Sequence, residues 1–449
     1  VAEGASPKIL LHPTSQKTSR DFSSVRRGFK WLTVGLGIKR WGLLSLIGLG
    51  LAASGAALST AYIAVEWSVA IAEWLSDRTR QIVNTEMLGV IMLAMGAILV
   101  GIGLRGTLKA VERAYAKSGR VDTDFLETAL RSRRLNQGEK IVAIGGGTGL
   151  STMLRGLKEY SSNITAVVTM ADDGGSSGML REHGILPPGD LRNCIAALAE
   201  AEPTMQELFQ HRFEGLGELK GHSVGNLIVA AMCEMTGDYE SAVRETSKVL
   251  AIRGRVLPST LDDIRMGAHL ADGSEVLGQS NVNKAQNIQQ AFLVPENPRA
   301  LPDVVKAIHE ADLIIVGPGS LFTSIIPNLL VPEIAEAVKK AKAPKVYVCN
   351  VMTQPHETAQ FKASDHVAAI IRHIGKGVLT HALVNNGKVK ADILDRYRKV
   401  GAEYVEPDEA AIEMLGVRPI HGNFIDDTNL VRHNPQKLAT SIFRLMTRM

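Results

Sequence analysis

Two kinds of apolar run occur along the chain. The first kind is long and unbroken: Trp41 to Val65 reads WGLLSLIGLGLAASGAALSTAYIAV without a charge, and MLGVIMLAMGAILVGIGL fills residues 87–104. About 24 residues of helix reach roughly 36 Å, more than a hydrocarbon core of about 30 Å, and the second run of about 18 residues just suffices. Small residues four apart (Gly48, Ala52, Ala56) let such helices pack closely in lipid. The first run starts too deep and is too long for a signal peptide.

Charge completes this picture. Arg26, Arg27, Lys30, Lys39 and Arg40 precede the first run, and Arg105, Lys109, Arg113 and Lys117 follow the second. The connector carries Glu66, Glu73, Asp77 and Glu86 against Arg78 and Arg80. The positive-inside rule then puts both ends in the cytoplasm and Trp67 and Trp74 at the far interface. The expected organisation is a basic segment (1–40), a transmembrane hairpin (41–104), a charged helical linker (105–138) and a cytoplasmic domain (139–449) held at the inner membrane. The linker reads either as a solvated helix or as a basic stripe lying on anionic lipid.

After Gly138 the apolar runs shorten to strand length: KIVAIG, ITAVVTM, ADLIIVG and KVYVCN. Each ends in a Gly-, Asp- or Asn-rich loop, and a helical pattern generally follows. That alternation predicts an α/β fold, a Rossmann-like, doubly wound, mostly parallel sheet with helices on both faces. Ligands of such sheets bind at the carboxyl ends of the strands, where these loops lie.

Composition narrows the function. An apolar fraction of 45% supports two or three units, and a net charge of +4 with no dense basic tract argues against nucleic acid. Cys194, Cys233 and Cys349 are far apart and form no C-x-x-C pair, which fits a reducing compartment and buried thiols.

The loops hold the candidate chemistry. In IGGGTGLST, Gly145, Gly146, Gly147, Thr148 and Gly149 let backbone N–H groups approach an anion at a helix N-terminus, or simply make a tight turn. Leu150 stands where the dinucleotide fingerprint needs glycine, and the lysine of a P-loop is absent. Asp172 and Asp173 close the second strand, where an acid takes ribose hydroxyls, two acids hold a divalent cation, or an Asx turn opens the loop. Gly174, Gly175, Ser176 and Ser177 offer donors for a second anion. Asp190 occupies an expected N-cap, followed by Arg192 and Asn193, and the Arg192 fork suits a diphosphate. His222 and Asn226, four apart, share a face if the helix has begun at 222. Gly317, Pro318, Gly319 and Ser320, with Thr323 and Ser324, form another candidate anion cradle, and Asn350 and Thr353 end a further strand. There is no G-x-S-x-G elbow, no HExxH motif and no nucleophile with an evident base, so any chemistry would rest on positioning and a metal ion.

Together, AIGGGTGLSTMLRGLK, ADDGGSSGMLREHGILPPGDLRN, GHSVGNL, GPGSLFTSIIPNLLV and CNVMTQPHET resemble the YvcK-like family of gluconeogenesis factors, which shares a superfamily with the CofD-like 2-phospho-L-lactate transferases. The resemblance covers roughly residues 139–449. It implies a Rossmann-like core. For the transferase branch it implies transfer of a phospholactyl group from a guanosine diphosphate adduct to a deazaflavin, with magnesium. For the YvcK-like branch it implies binding of UDP-sugars such as UDP-N-acetylglucosamine and support of cell-wall synthesis, cell shape and growth on gluconeogenic carbon. The motifs ADDGGSSG, PNLLV and CNVMTQP place this chain nearer the second branch. By that likeness the glycines at 145–149, Asp172, Asp173, Ser176, Ser177, Asn226, Ser320 and Asn350 carry over as ligand contacts. Two features depart: His356 stands where the family commonly has glycine in Q-P-G-E-T, and the hairpin is absent from the simplest members. The expectation is a membrane-anchored UDP-sugar sensor. A phospholactate-type transferase using magnesium is the alternative, and an NAD oxidoreductase a third reading. Homodimerisation and cell-envelope regulatory partners stay open.

Overall fold

The short apolar runs after Gly138 become strands buried on both faces, as a sheet covered by helices requires. In chain order, β1 (Ile141–Gly145), β2 (Ile164–Val168) and β3 (Arg255–Pro258) come first. A separate small sheet follows, from β4 (Arg265–Leu270), β5 (Glu275–Leu277) and β6 (Ile288–Val294). The chain then returns to the main sheet with β7 (Leu313–Val316), β8 (Lys345–Val348), β9 (His381–Asn385) and β10 (Arg418–Gly422). This computed structural model describes residues 38–59, 73, 85–116, 132–200, 203–215, 217–426 and 431–447.

The main sheet runs β10-β9-β8-β7-β1-β2-β3, with every pair parallel. The sequence pattern thus predicted the class correctly. The order reverses between β1 and β7, the place where a doubly wound sheet opens a crevice for a ligand. Alternation along β1 shows why both faces are covered: Val142 and Ile144 enter one core layer, Ile141 and Ala143 the other. The small antiparallel sheet, ordered β5-β4-β6, packs into the first layer through Met266, Ala268, Ala291 and Leu293.

Helices relevant to the site are α3 (Gly147–Leu157), α4 (Gly175–Glu182), α5 (Gly189–Leu198), α6 (Val224–Thr236) and α7 (Pro435–Met446), following α1 (Ile38–Ser59) and α2 (Thr85–Ala116). The second core layer buries Leu150, Met153, Leu154 and Leu157 of α3 against Leu438 and Ile442 of α7.

The chain divides into two units, Val1–Ala129 and Leu130–Met449. In the first, α1 and α2 pack closely: a β-carbon on Gly96 would stand 2.6 Å from Gly48 O and from Ala52 N. Leu46, Leu49, Val90, Ile98 and Leu104 are exposed. By length and composition Gly89–Thr107 could cross a membrane, whereas the described apolar stretch of α1, Leu44–Ser54, is shorter. Residues 1–37 and 60–65, the connector apart from Glu73 and the ends of the helices, and residues 117–131 lie outside the described residues.

The second unit takes in the residues that precede β1. Leu135 is buried, its carbonyl accepts the Ser162 N–H at 2.9 Å, and Asn163 Nδ2 donates to Gly138 O at 2.6 Å. These contacts fold the end of the expected linker onto the body.

Candidate nucleotide site at the sheet reversal

The glycine turn and the β7 loop meet directly at the reversal. Gly147 has φ +65°, and a β-carbon on Gly149 would stand 2.7 Å from Pro318 O. Glycine is therefore required at the first by backbone conformation and at the second by close approach. Asn328 Nδ2 bridges Gly145 O at 3.0 Å and Ser324 O at 2.8 Å, and Asn350 Nδ2 donates to Gly319 O at 2.7 Å. Asn350 thus holds the β7 loop in place.

The β7 loop is not an open anion cradle. A π-turn (Leu321–Ile325) follows Ser320, and the buried Glu357 carboxylate fills its N-terminus. Glu357 accepts the N–H of Phe322 at 2.7 Å, that of Thr323 at 3.2 Å and the Ser320 hydroxyl at 2.7 Å. Burial pushes its pKa up against these bonds. The sequence reading missed Glu357, although a single acid in the otherwise neutral CNVMTQPHET loop marked it. Thr353, in the same loop, is engaged elsewhere: its N–H donates to Glu403 O at 2.7 Å, and its hydroxyl accepts the Glu403 N–H at 2.9 Å. His356 keeps a glycine-like conformation at φ +71°, its Nδ1 3.1 Å from Gln286 Nε2.

Asp172 and Asp173 part company. Asp173 Oδ1 accepts the backbone N–H of Ser280 at 2.9 Å and its hydroxyl at 2.7 Å, tying the β2 loop to the segment after β5. Asp172 Oδ1 accepts the Gly174 N–H at 3.1 Å, and its Oδ2 lies 2.8 Å from where a β-carbon on Gly189 would stand. The acid facing Asp172 is Asp190. The expectation of an N-cap at Asp190 is corrected: α5 begins at Gly189 behind Pro188, without a side-chain cap. Asp190 instead accepts the N–H of Gly147, joining α5 to the glycine turn. Burial, then Asp172, push its pKa up to about 6, against the Gly147 N–H and Arg192. Among the described residues no cluster of three or more His, Cys, Asp and Glu side chains could hold a metal ion.

Beside the acids, Ser177 Oγ accepts the Gly189 N–H at 3.1 Å, and Arg192 Nη2 donates to Asn193 Oδ1 at 2.8 Å. Arg192 is buried and its Nε has no acceptor. Burial, then the neighbouring Arg212, lower its pKa. Helix α6 begins at Val224, capped by Ser223, so His222 precedes the helix and shares no helical face with Asn226. Ser176 unites them: its Oγ is 3.0 Å from His222 Nδ1 and accepts Asn226 Nδ2 at 2.9 Å. This pairing corrects the reading that no nucleophile has an evident base. Its signal was legible, since Gly174 to Gly178 have G-x-S-x-G spacing. However, β2 ends at Val168 and Ser176 lies in the first turn of α4, so no sharp strand-to-helix elbow forms.

The N-termini of α3, α4 and α5 all carry no side-chain cap. A different cleft of about 460 Å³, lined by Lys140, Asn163, Arg253 and Arg255, lies at the opposite edge of the sheet. Its arginines are already paired, Arg253 with Glu200 and Arg255 with Asp303.

The strand order, the close-packed glycine turn and the converging polar loops define a Rossmann-like, doubly wound α/β protein. The chain belongs to the family described as 2-phospho-L-lactate transferase CofD, which matches residues 141–425. It is 46% identical over 434 residues to a Nostoc sp. protein, covering 96% of this chain and 95% of that one. It is 48% identical over 315 residues to the Bacillus subtilis protein named gluconeogenesis factor, covering 70% of this chain and 99% of that one. A crystal structure of a Bacillus halodurans protein, 46% identical, superposes with a TM-score of 0.67 over 68% of this chain and 100% of that chain. The resemblance stated from the loop motifs is therefore correct at the level of family.

Proposed function

We propose that this protein is a membrane-anchored regulator that binds a nucleotide-sugar, of the UDP-N-acetylglucosamine class, at the carboxyl edge of the sheet. The observation that carries this reading is the convergence of uncapped helix N-termini and the glycine turn at the sheet reversal. The partial positive charge at these helix N-termini favours a diphosphate, although Asp190 and Ser177 already take the first N–H of α3 and of α5. Identity of 48% to a protein named gluconeogenesis factor supports a regulatory role in carbon metabolism. The apolar, glycine-packed hairpin supports the anchor at the inner membrane.

The acids bear on how a diphosphate would enter. Asp190 already holds the Gly147 N–H, and Asp172 lies beside it. Two carboxylates repel a diphosphate unless a cation lies between them or Asp190 is protonated. Magnesium takes one or two carboxylates and completes its shell with phosphate and water, so Asp172 and Asp190 fit it better than the adjacent Asp172 and Asp173. That ion would neutralise charge. The family description favours a second reading, a phospholactate-type transferase using the same ion.

Calorimetric titration of UDP-N-acetylglucosamine, GDP and NAD, with and without magnesium, separates these readings. Tight UDP-sugar binding with the ligand recovered intact supports the regulator. Preference for GDP with magnesium, or consumption of a GDP adduct, replaces it with the transferase. Membrane fractionation of the full chain against residues 132–449 tests the anchor.

A further inference from the structure

We propose that Asn226 and Ser176 lock His222 as the neutral tautomer with its proton on Nε2. The side chain then serves the ligand as a hydrogen-bond donor and not as a base. This inference deepens the nucleotide-sugar reading and rests on it for the ligand.

The argument is an accounting of donors and acceptors. Ser176 and Asn226 are both buried, so each unmade bond is costly. Asn226 Nδ2 donates to Ser176 Oγ, leaving Asn226 Oδ1 without a partner. The flipped amide would instead strand an amino group with two donors, and an orphaned buried donor is rarer than an under-satisfied carbonyl. The observed orientation therefore holds. Ser176 Oγ has two partners, Asn226 Nδ2 and His222 Nδ1. Its own proton needs an acceptor, and only Nδ1 supplies one. A proton on Nδ1 would leave the serine hydroxyl unsatisfied. The chain thus runs from Asn226 through Ser176 into Nδ1, and the remaining imidazole proton sits on Nε2.

The backbone fixes this arrangement. The His222 N–H donates to Leu219 O at 3.0 Å, and its carbonyl accepts the Phe213 N–H at 3.0 Å. The next residue, Ser223, accepts the Asn226 N–H at 3.3 Å and so starts α6. The ring is half-exposed, and its partner Ser176 lies in the uncapped first turn of α4, so the imidazole stands beside that helix start. A phosphate oxygen is the acceptor that this set of donors selects. The Nδ1 lone pair is directed at the Ser176 hydroxyl, so the group that His222 offers directly to a ligand is the Nε2–H.

The test is nitrogen-15 NMR of the imidazole in residues 132–449, since the solved Bacillus halodurans relative corresponds to 68% of this chain and is folded by itself. The expected spectrum has a protonated Nε2 and an unprotonated Nδ1 in the ligand-free protein, with Ser176→Ala giving a mixture. Protonation at Nδ1 overturns the proposal whatever the ligand is. Binding of UDP-N-acetylglucosamine and of inorganic diphosphate forms the second arm. His222→Gln, whose amide reaches the Nε2 position, keeps affinity within about threefold, and His222→Ala loses about tenfold for both. Undiminished diphosphate affinity in His222→Ala overturns the donor role. Loss of sugar-nucleotide binding in the unaltered protein, with diphosphate still bound, overturns only the ligand reading.

Discussion

The Glu357 carboxylate reaches from the loop after β8 to the backbone N–H of Phe322, 2.7 Å away, and so occupies the helix start that follows β7. One side chain therefore joins two neighbouring strand loops at the carboxyl edge. Glu357→Ala orphans the N–H groups of Phe322 and Thr323 together with the Ser320 hydroxyl. Urea unfolding should show a loss of about 2–3 kcal/mol, while Glu357→Gln, which retains an acceptor, loses less. Equal losses would mean that the charge, and not the acceptor that glutamine keeps, carries the whole contribution.

Asp190 should be a position where stability and function oppose one another. Its folded pKa, about 6 against 3.8 in the free acid, favours the protonated form. The resulting stability is fully present below pH 3.8 and is lost as pH rises through 6. Asp190→Asn keeps an acceptor for Gly147 and removes the charge, so at pH 7 it gains up to roughly 3 kcal/mol in urea unfolding. The same variant should lose magnesium-dependent ligand binding. A variant no more stable than the parent at pH 7 would show that Asp190 ionises freely.

His433 has the opposite sign. It is buried, and burial lowers its pKa to about 4 against an opposing contact with the Cys349 backbone. Its neutral form stabilises the fold above the unfolded value of 6.5, and this is lost as pH falls towards 4. The amount is roughly 3 kcal/mol, so between these limits it offsets Asp190. In His433→Leu, stability should rise on acidification from pH 6.5 to 4, and a fall would refute the assignment.

His356→Gly relieves a β-carbon held at φ +71°. Relief of about 1–2 kcal/mol outweighs the added chain entropy and the exposed contact with Gln286, leaving a net gain of about 0.5–1 kcal/mol. Thermal melting of the two proteins checks it.

Gly149→Ala places its new methyl 2.7 Å from Pro318 O, a backbone atom that cannot rotate away. The two loops must separate, at a cost of about 1–3 kcal/mol and with loss of nucleotide affinity. Calorimetry and urea unfolding read the two effects.

What the sequence disclosed follows from local physics. β1, β2, β7 and β8 are apolar runs ending at turn residues, so their strands were legible. β10 reads RPIHG and buries none of its positions fully, so no run announces it. The glycine turn was legible for the same local reason. The directions of the acids were not: Asp173 turns towards Ser280, 107 residues along the chain, and Asp190 towards a turn that precedes it by one strand and two helices. Glu357 stood out as a lone acid, but its role was not legible because its partners are the N–H groups of another loop.

The bond between Asp173 and Ser280 gives the β2 loop two employers. One peptide unit separates Asp172, which faces Asp190, from Asp173, which anchors the segment between β5 and β6 of the small antiparallel sheet. A displacement of the first is mechanically a pull on the second. The β2 loop therefore ties the acid pair to the small antiparallel sheet, so that neither shifts without loading the other.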